Sequence, residues 1–231
     1  NFLTTDAARH QEYHDEIVRL LDIATDAGVG QITTATGVNP ALTLDENIAA
    51  VLDYWSPLFD QAQAANIRIA LEFCPVSGNF ALGPYAWRAL LDATKQWSNF
   101  GLNYDPSHLL WQFIEPYMPV AEFRQHIFSA HAKDTFIWQG RLSEHGILTP
   151  YKRQERAAHG VVEDRALWWE YRLPGEGMLD WQRFADTLLD AGFDGAVTIE
   201  HEDSRYLGSR EAITDALRRS RDFLRRVFHA Q

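Results

Sequence analysis

The chain has 231 residues, of which 46% are hydrophobic, so it can bury one sizeable core. Its formal net charge of −11 does not suit binding to the phosphate backbone of nucleic acid or to an anionic membrane. The single cysteine, Cys74, excludes an internal disulfide, no apolar run approaches the ~20 residues of a membrane span, and the first twenty residues lack a secretory signal. We therefore expect a cytoplasmic protein without a nucleic-acid or membrane partner.

Helix-like and strand-like segments alternate along the chain with a period of roughly thirty residues, which is typical of βα units and a parallel sheet. Apolar residues at helical spacing, glycine stops and Pro84 at a helix start predict helices over 7–27, 45–66, from 84 onward, 117–126, 180–191 and 209–229. Apolar runs predict strands over 29–36, 67–74, 100–105, 127–132 and 195–201.

The segment from about 135 to 170 interrupts this alternation with mixed charges, aromatic residues and glycines. It is too long for an ordinary connection, and insertions of this kind often form lids or binding loops. We expect its Trp138, His145, Tyr151, Trp168 and Trp169 either to cover a larger ligand or to pack against a second subunit. We treat residues 1–231 as a single domain that carries this inserted loop.

Each of four predicted strands ends on or beside a residue that can bind a metal ion. Glu72 closes the run IRIALE, Asp105 follows FGLNY, His131 lies in IFSAHAKD, and Glu200 closes AVTIE. Burying an unpaired carboxylate is costly, so these acids need compensation. Three carboxylates and one imidazole suit Mn²⁺, Mg²⁺ or Co²⁺, whereas a structural zinc site would need several cysteines.

The spacing of these residues leaves simpler roles open. A lone acid at a strand end is commonly a loop cap or a salt-bridge partner, and a lone histidine is commonly a hydrogen-bonded core residue. From spacing alone, a metal site and these structural roles are equal alternatives.

Five strands are fewer than the eight of a closed barrel, and an open five-stranded sheet is the competing fold. The candidate ligands favour the barrel, because barrel enzymes carry their sites at the carboxyl ends of the strands. We therefore predict an α/β fold of the (β/α)8 TIM-barrel type whose first three βα units are absent from this sequence.

Five motifs resemble those of the xylose-isomerase-like TIM barrels, the sugar phosphate isomerases and epimerases. They are LEFCP, NYDPSHL, HAKD, YRLPGEGMLDW and GAVTIEHED, and the resemblance covers residues from about 10 to 228. The superfamily also contains ketose 3-epimerases, inosose dehydratases and endonuclease IV. Its pattern of Glu, Asp, His and Glu at strand ends is more specific for the superfamily than for a substrate.

This resemblance implies a metal site made of Glu72, Asp105, His131 and Glu200. It implies one divalent ion, with Mn²⁺ as the first expectation and Mg²⁺, Co²⁺ or Zn²⁺ as alternatives. It also implies that Glu72 and Glu200 are the catalytic residues, placed on opposite faces of a bound sugar where they exchange a proton at carbon.

The same resemblance implies that His108 and Arg172 bind substrate oxygens and that Lys133 adds a positive charge near the metal, with Asp134 orienting His131 or Lys133. Structural alternatives stay open.

Arg172 could pair with Glu170 or Glu176 instead of binding substrate. Glu202 lies on the same side of its strand as Glu200 and is an alternative ligand.

The leading functional hypothesis is a metal-dependent isomerase or epimerase that acts on a sugar or polyol, in a chain that could form a homo-oligomer. A lyase or dehydratase acting on an inosose or 3-keto-glycoside would use the same site and the same first proton transfer, with His108 or Lys133 as proton donor. A non-catalytic barrel subunit is the alternative from another class. A repair nuclease like endonuclease IV is disfavoured, because it needs more metal ligands and a positive surface.

Overall fold

The structure, a computed structural model, describes residues 1–75, 78–147 and 168–228. In these ranges the helices are α1 Ala7–Asp26, α2 Leu44–Ala64, α3 Pro84–Ala93, α4 Pro106–Trp111, α5 Met118–Phe123, α6 Gln139–His145, α7 Trp181–Asp190 and α8 Arg210–Val227. The strands are β1 Gln31–Thr34, β2 Arg68–Glu72, β3 Phe100–Tyr104, β4 Ile127–Ala132, β5 Asp134–Ile137, β6 Trp169–Arg172 and β7 Ala196–Ile199.

The main sheet has the strand order β1-β2-β3-β4-β7, and β1 to β4 pair in parallel. All five predicted strands are therefore confirmed, as are the six predicted helices, here α1, α2, α3, α5, α7 and α8. The main sheet of the described residues thus has five strands, whereas a complete barrel has eight. None of the described helices is both long enough and apolar enough to span a membrane.

The longest helix, α2, shows why these elements form where they do. The Thr43 side chain and Glu46 make a reciprocal capping box at its start. The helix then continues through Pro57 to Ala64. Its buried face is mainly apolar and includes Val51, Trp55, Leu58, Phe59 and Ala62. Burial of this face stabilises the helix more than its intrinsic propensity does.

The chain forms two compact units. The first contains residues 1–105, 122–130 and 193–196, and the boundaries fall inside β4 and β7. Its core includes an aromatic cluster around Phe59. The centroid of the Phe59 ring lies 4.7 Å from that of Phe100, 5.3 Å from that of Trp97 and 5.8 Å from that of Trp55. Such contacts between aromatic rings stabilise the core in addition to the stabilisation that comes from burying these large side chains.

Of the described residues, the second unit contains 106–121, 131–147, 168–192 and 197–228. Here β5 and β6, at the two ends of the predicted insertion, form an antiparallel pair. The short helix α6 follows β5 along the chain. This pair and the helices α4 and α6 were not predicted. Trp168 and Trp169 are buried in a cluster with Ile137, whereas Tyr151 lies outside the described residues.

A buried carboxylate, Asp134, organises the loop that precedes α7. Its two oxygens accept hydrogen bonds of 2.8–3.1 Å from five backbone N–H groups and one indole, those of Thr135, Gly175, Gly177, Met178, Leu179 and Trp181. Burial raises the pKa of Asp134, and the hydrogen bonds oppose this effect. Asp134 therefore orients this loop, whereas the sequence had led us to expect that it orients His131 or Lys133.

Replacing Gly177 with alanine should destabilise the protein by about 2–3 kcal/mol. An added Cβ would overlap the Asp134 carboxylate and the Thr135 carbonyl, so that buried hydrogen bonds must break. Gly30→Ala is the matched control, because a Cβ there meets no atom within 4 Å. Urea denaturation of both variants measures the difference, and equal midpoints would contradict this account of the loop.

Candidate metal centre

Glu72 is the last residue of β2 and is half-buried. Its Oε2 accepts a hydrogen bond from Asn103 Nδ2 on β3. Its carbonyl oxygen accepts one of 2.8 Å from Asn79, whose own side-chain oxygen accepts from the backbone N–H of Thr36 at 2.8 Å. The end of β2 is therefore tied both to the neighbouring strand and to the segment that follows β1.

Asp105 follows β3 directly and is fully buried, as is Tyr104 before it. Because α4 begins at Pro106, the chain leaves the strand at this carboxylate. An ionised carboxylate in such a position is stable only when hydrogen bonds or a positive charge compensate its lost hydration.

His131 and Glu200 lie side by side at the ends of β4 and β7. Glu200 is fixed against β4 by a 3.2 Å hydrogen bond from its backbone N–H to the Ala132 carbonyl. Its Oε2 lies 2.8 Å from His131 Nδ1 and accepts a 2.7 Å hydrogen bond from Lys133 Nζ. Burial alone raises the pKa of Glu200, but the His131 hydrogen bond and the Lys133 charge outweigh it and lower this pKa to about 2.

The four predicted ligands come together. Each of Glu72, Asp105, His131 and Glu200 offers one ligand atom, and these atoms all lie within 4.8 Å of one another. Ligands about 2.2 Å from a single cation can be at most about 4.4 Å apart, so the cluster is nearly the size that one ion requires. Three oxygens and one nitrogen form a set that fits a divalent ion such as Mn²⁺ or Zn²⁺.

Two of the predicted substrate-binding residues, His108 and Lys133, also lie together. Lys133 Nζ lies 3.5 Å from His108 Nε2 and 4.4 Å from the centre of the Tyr171 ring. The Tyr171 hydroxyl lies 2.8 Å from His108 Nδ1. These two contacts fix the imidazole between a phenol and an ammonium group, and the ring face of the phenol stabilises that cation.

Arg172 takes one of the structural alternatives that the sequence left open. Its Nη2 lies 2.6 Å from Glu170 Oε2, and its Nη1 donates to the Tyr171 carbonyl at 3.0 Å. Neighbouring residues of a strand point to opposite faces, which explains why Tyr171, and not Arg172, faces His108. Tyr171 was not among the predicted site residues, although this alternation within the motif YRLPGEG indicates its orientation. A substrate-binding role for Arg172 stays a prediction.

Glu202, the alternative ligand, has a different partner. Its Oε2 accepts a 3.1 Å hydrogen bond from Lys133 Nζ, and its side chain is 45% exposed. Among the described residues it is Glu200 that joins the four-atom cluster.

The sequence also shows the family to which this chain belongs. The chain belongs to the xylose isomerase-like TIM barrel family, whose sequence profile matches residues 1–227. An uncharacterised protein of Bacillus subtilis (strain 168), YfiH, is 30% identical over 155 residues, which are 66% of this chain and 46% of that protein. The chain thus spans about half the length of this relative.

Solved structures show the same fold. The IolI protein with a bound zinc atom is 19% identical, with a TM-score of 0.66, over 98% of this chain and 74% of its own. A D-psicose 3-epimerase from Clostridium cellulolyticum H10, solved with D-tagatose, is 13% identical, with a TM-score of 0.67, over 99% and 74% of the respective chains. The predicted α/β fold of the TIM-barrel type is confirmed.

Replacing Lys133 with methionine should destabilise the metal-free protein by about 1–3 kcal/mol, because Glu200 and Glu202 then face each other without a cation. The loss is smaller than for a fully buried pair, since both carboxylates reach solvent. Lys95→Met is the matched control, because Lys95 makes only a highly exposed ion pair with Asp92. Urea denaturation in the presence of EDTA should show a clear shift for the first variant alone; similar shifts for both would refute a special role of Lys133.

Proposed function

We propose that this protein is a divalent-metal-dependent isomerase or epimerase that moves a proton at a carbon next to the carbonyl of a sugar or sugar derivative. The observation that carries the proposal is the convergence of four ligand atoms, from Glu72, Asp105, His131 and Glu200, within 4.8 Å. Membership of the xylose isomerase-like family and the likeness to a ketose 3-epimerase support the reaction class.

The proposed cofactor is one divalent cation, held by those four side chains. When bound, such a cation polarises a substrate carbonyl or hydroxyl oxygen. The three-oxygen, one-nitrogen set favours Mn²⁺ in this proposal, with Mg²⁺, Co²⁺ and Zn²⁺ as competitors. The zinc atom in the related IolI structure supports a divalent ion in this fold without deciding among them.

Proton transfer is assigned to the two glutamates. Glu72 ends β2 and Glu200 follows β7, and two strands, β3 and β4, lie between these in the sheet. Carboxylates that approach from separate strands can reach opposite faces of one sugar carbon. One carboxylate oxygen then accepts the proton, and the other glutamate returns a proton from the opposite side.

Substrate oxygens are assigned to His108 and Lys133. His108 Nε2 and Lys133 Nζ lie 3.5 Å apart. A hydroxyl group between the two could hydrogen-bond to both, which would orient the reacting carbon toward the glutamates. Arg172, which pairs with Glu170, is proposed as a substrate contact through the resemblance alone.

A lyase or dehydratase is the second candidate, and the contact of Lys133 with His108 favours it. A carboxylate would take the proton next to the carbonyl, and a carbon–carbon double bond would form as the β carbon–oxygen bond breaks. The leaving oxygen needs a proton, which Lys133 Nζ or His108 Nε2 could donate. Both reactions begin with the same step, so only the products separate them.

The remaining parts of the proposal concern context. We place the protein in the cytoplasm, with a small sugar or polyol as its partner and carbohydrate metabolism as its setting. We retain one domain with an inserted loop at 135–170, which covers ligand or contributes to a homo-oligomer. In that segment Trp138 is 36% exposed and available for either role, whereas Trp168 and Trp169 are buried against their own chain.

The purified protein should contain, or take up from Mn²⁺ solution, about one equivalent of divalent metal. Glu200→Gln should reduce or abolish this uptake, because it removes a charged ligand. Glu202→Gln is the matched control: it lies two residues away and outside the ligand cluster, so it should retain the metal. Elemental analysis and calorimetry measure both. Absence of uptake by the unmodified protein after incubation with Mn²⁺ would refute the metal site.

The metal-loaded protein should catalyse exchange of a carbon-bound proton when ketoses or keto-glycosides are incubated in D₂O. Glu72→Gln and Glu200→Gln should each lower the rate by a factor of about 10²–10⁴, since each removes an acid–base group. Mass spectrometry separates the candidates: deuterium with an isomeric product indicates isomerisation, and loss of water or an alcohol indicates a lyase. A metal-loaded protein that exchanges nothing across such a panel would support a non-catalytic subunit.

A further inference from the structure

A chain of hydrogen-bonded side chains crosses four strands and ends at Glu72. Gln31 Nε2 on β1 donates to Ser129 Oγ on β4 at 2.7 Å. Ser129 Oγ donates to Asn103 Oδ1 on β3 at 2.6 Å, and Asn103 Nδ2 donates to Glu72 Oε2 at the end of β2. These contacts all lie within the first compact unit.

The interior position of this chain is unusual for a barrel. Side chains in the interior of a TIM barrel are mainly bulky and apolar, yet Asn103 is only 1% exposed and Ser129 only 6%. Burying an amide and a hydroxyl costs free energy unless their hydrogen bonds are made. The side chains of this network make those hydrogen bonds with one another, so they are stable in the interior as a set and not individually.

The direction of every hydrogen bond in the chain follows from the charge on Glu72. An ionised carboxylate only accepts, so Asn103 must present its NH₂ group to Glu72 and its oxygen to Ser129. The Ser129 hydroxyl must then donate to Asn103 and accept from the Gln31 amide. The orientation of each amide is thus set by the network and not by its own rotamer preference.

The hydrogen-bonded side chains lie next to the predicted metal ligands along the same strands. Asn103 comes two residues before Asp105, and Ser129 comes two residues before His131, so strand alternation puts each pair on one face. An irregularity in the β3–β4 pairing sets Asn103 directly opposite Ser129. Leu102 pairs with Ile127 but Asn103 pairs with Ser129, so one residue of β4 is skipped.

We propose that Asn103 is a positioning residue for the metal centre: it holds the Glu72 carboxylate by Oε2 and is itself fixed by Ser129 and Gln31. As far as the cation is concerned, this inference rests on the proposed function. The Asn103 amide carries no charge, so this hydrogen bond orients Glu72 without neutralising it. Partners of this kind commonly control metal affinity as well as ligand geometry.

The first test is Mn²⁺ affinity, measured by calorimetry on the full chain. Asn103→Leu keeps the approximate size but removes both hydrogen bonds, and it should weaken Mn²⁺ binding about 10–100-fold. Ser129→Ala is the milder variant; it frees Asn103 to rotate and should give a smaller loss in the same direction. An affinity unchanged in both variants would overturn the inference.

Asn99→Leu is the matched control for a purely structural effect. Asn99 is also a buried asparagine beside β3, but its amide donates to the backbone carbonyls of Phe59 and Ile67 at 3.2 Å. This variant should lower the urea midpoint while Mn²⁺ affinity stays within a factor of two. An equal loss of affinity in Asn99→Leu would mean that general loosening, and not the position of Glu72, explains the Asn103 result.

The second test needs no metal. In EDTA, the urea midpoints of Asn103→Leu, Glu72→Leu and the double variant form a cycle, and the double variant should be more stable than additivity predicts, because neither partner is left unsatisfied. Additive shifts would overturn the inference even if Mn²⁺ binds. Non-additive shifts in a protein that takes up no Mn²⁺ would support the positioning of Glu72 while refuting the proposed function.

Discussion

Repulsion between carboxylates at the strand ends is the constraint on which this structure depends. Glu72, Asp105 and Glu200 present oxygens within 4.8 Å of one another. At an effective dielectric constant near 20, two such charges repel by about 3 kcal/mol. A folded chain can hold them together only if positive charge or directed hydrogen bonds offset this cost, and the residues around the site provide both.

The two proposed catalytic glutamates are compensated by different means. Glu200 Oε2 accepts a 2.7 Å hydrogen bond from the cationic ammonium group of Lys133 and lies 2.8 Å from His131 Nδ1. These contacts lower the pKa of Glu200 to about 2. The Glu72 carboxylate accepts a hydrogen bond from the neutral amide of Asn103. Enzymes that use two carboxylates in one reaction commonly set them in unlike environments, so that one suits the uptake of a proton and the other its return. The Lys133 contact of Glu200 and the Asn103 contact of Glu72 are compatible with the proposal that the two glutamates have opposite roles in proton transfer.

The surrounding structure keeps these contacts in place. Five hydrogen bonds to Asp134 bind the loop before α7 and the first residue of α7. Tyr171 on β6 holds His108 on α4, and β6 is itself paired with β5. The Asp134 loop and the β5–β6 pair thus support the side chains near the site through hydrogen bonds of their own, which favours a rigid polar network.

The sequence by itself determined the order of the five strands of the main sheet and of six helices, because hydrophobic periodicity and capping are local properties. It also placed Glu72, Asp105, His131 and Glu200 at strand ends, where parallel strands bring their carboxyl ends to one edge. Only the tertiary structure decided that Arg172 pairs with Glu170, that Asp134 holds a loop, and that Tyr171 contacts His108. It alone revealed the path from Gln31 to Glu72. Apart from the Arg172–Glu170 pair, which was one of two pairings open from the sequence, these contacts join residues distant in the chain. They depend on strand register, including a skipped residue between β3 and β4, which no local pattern specifies.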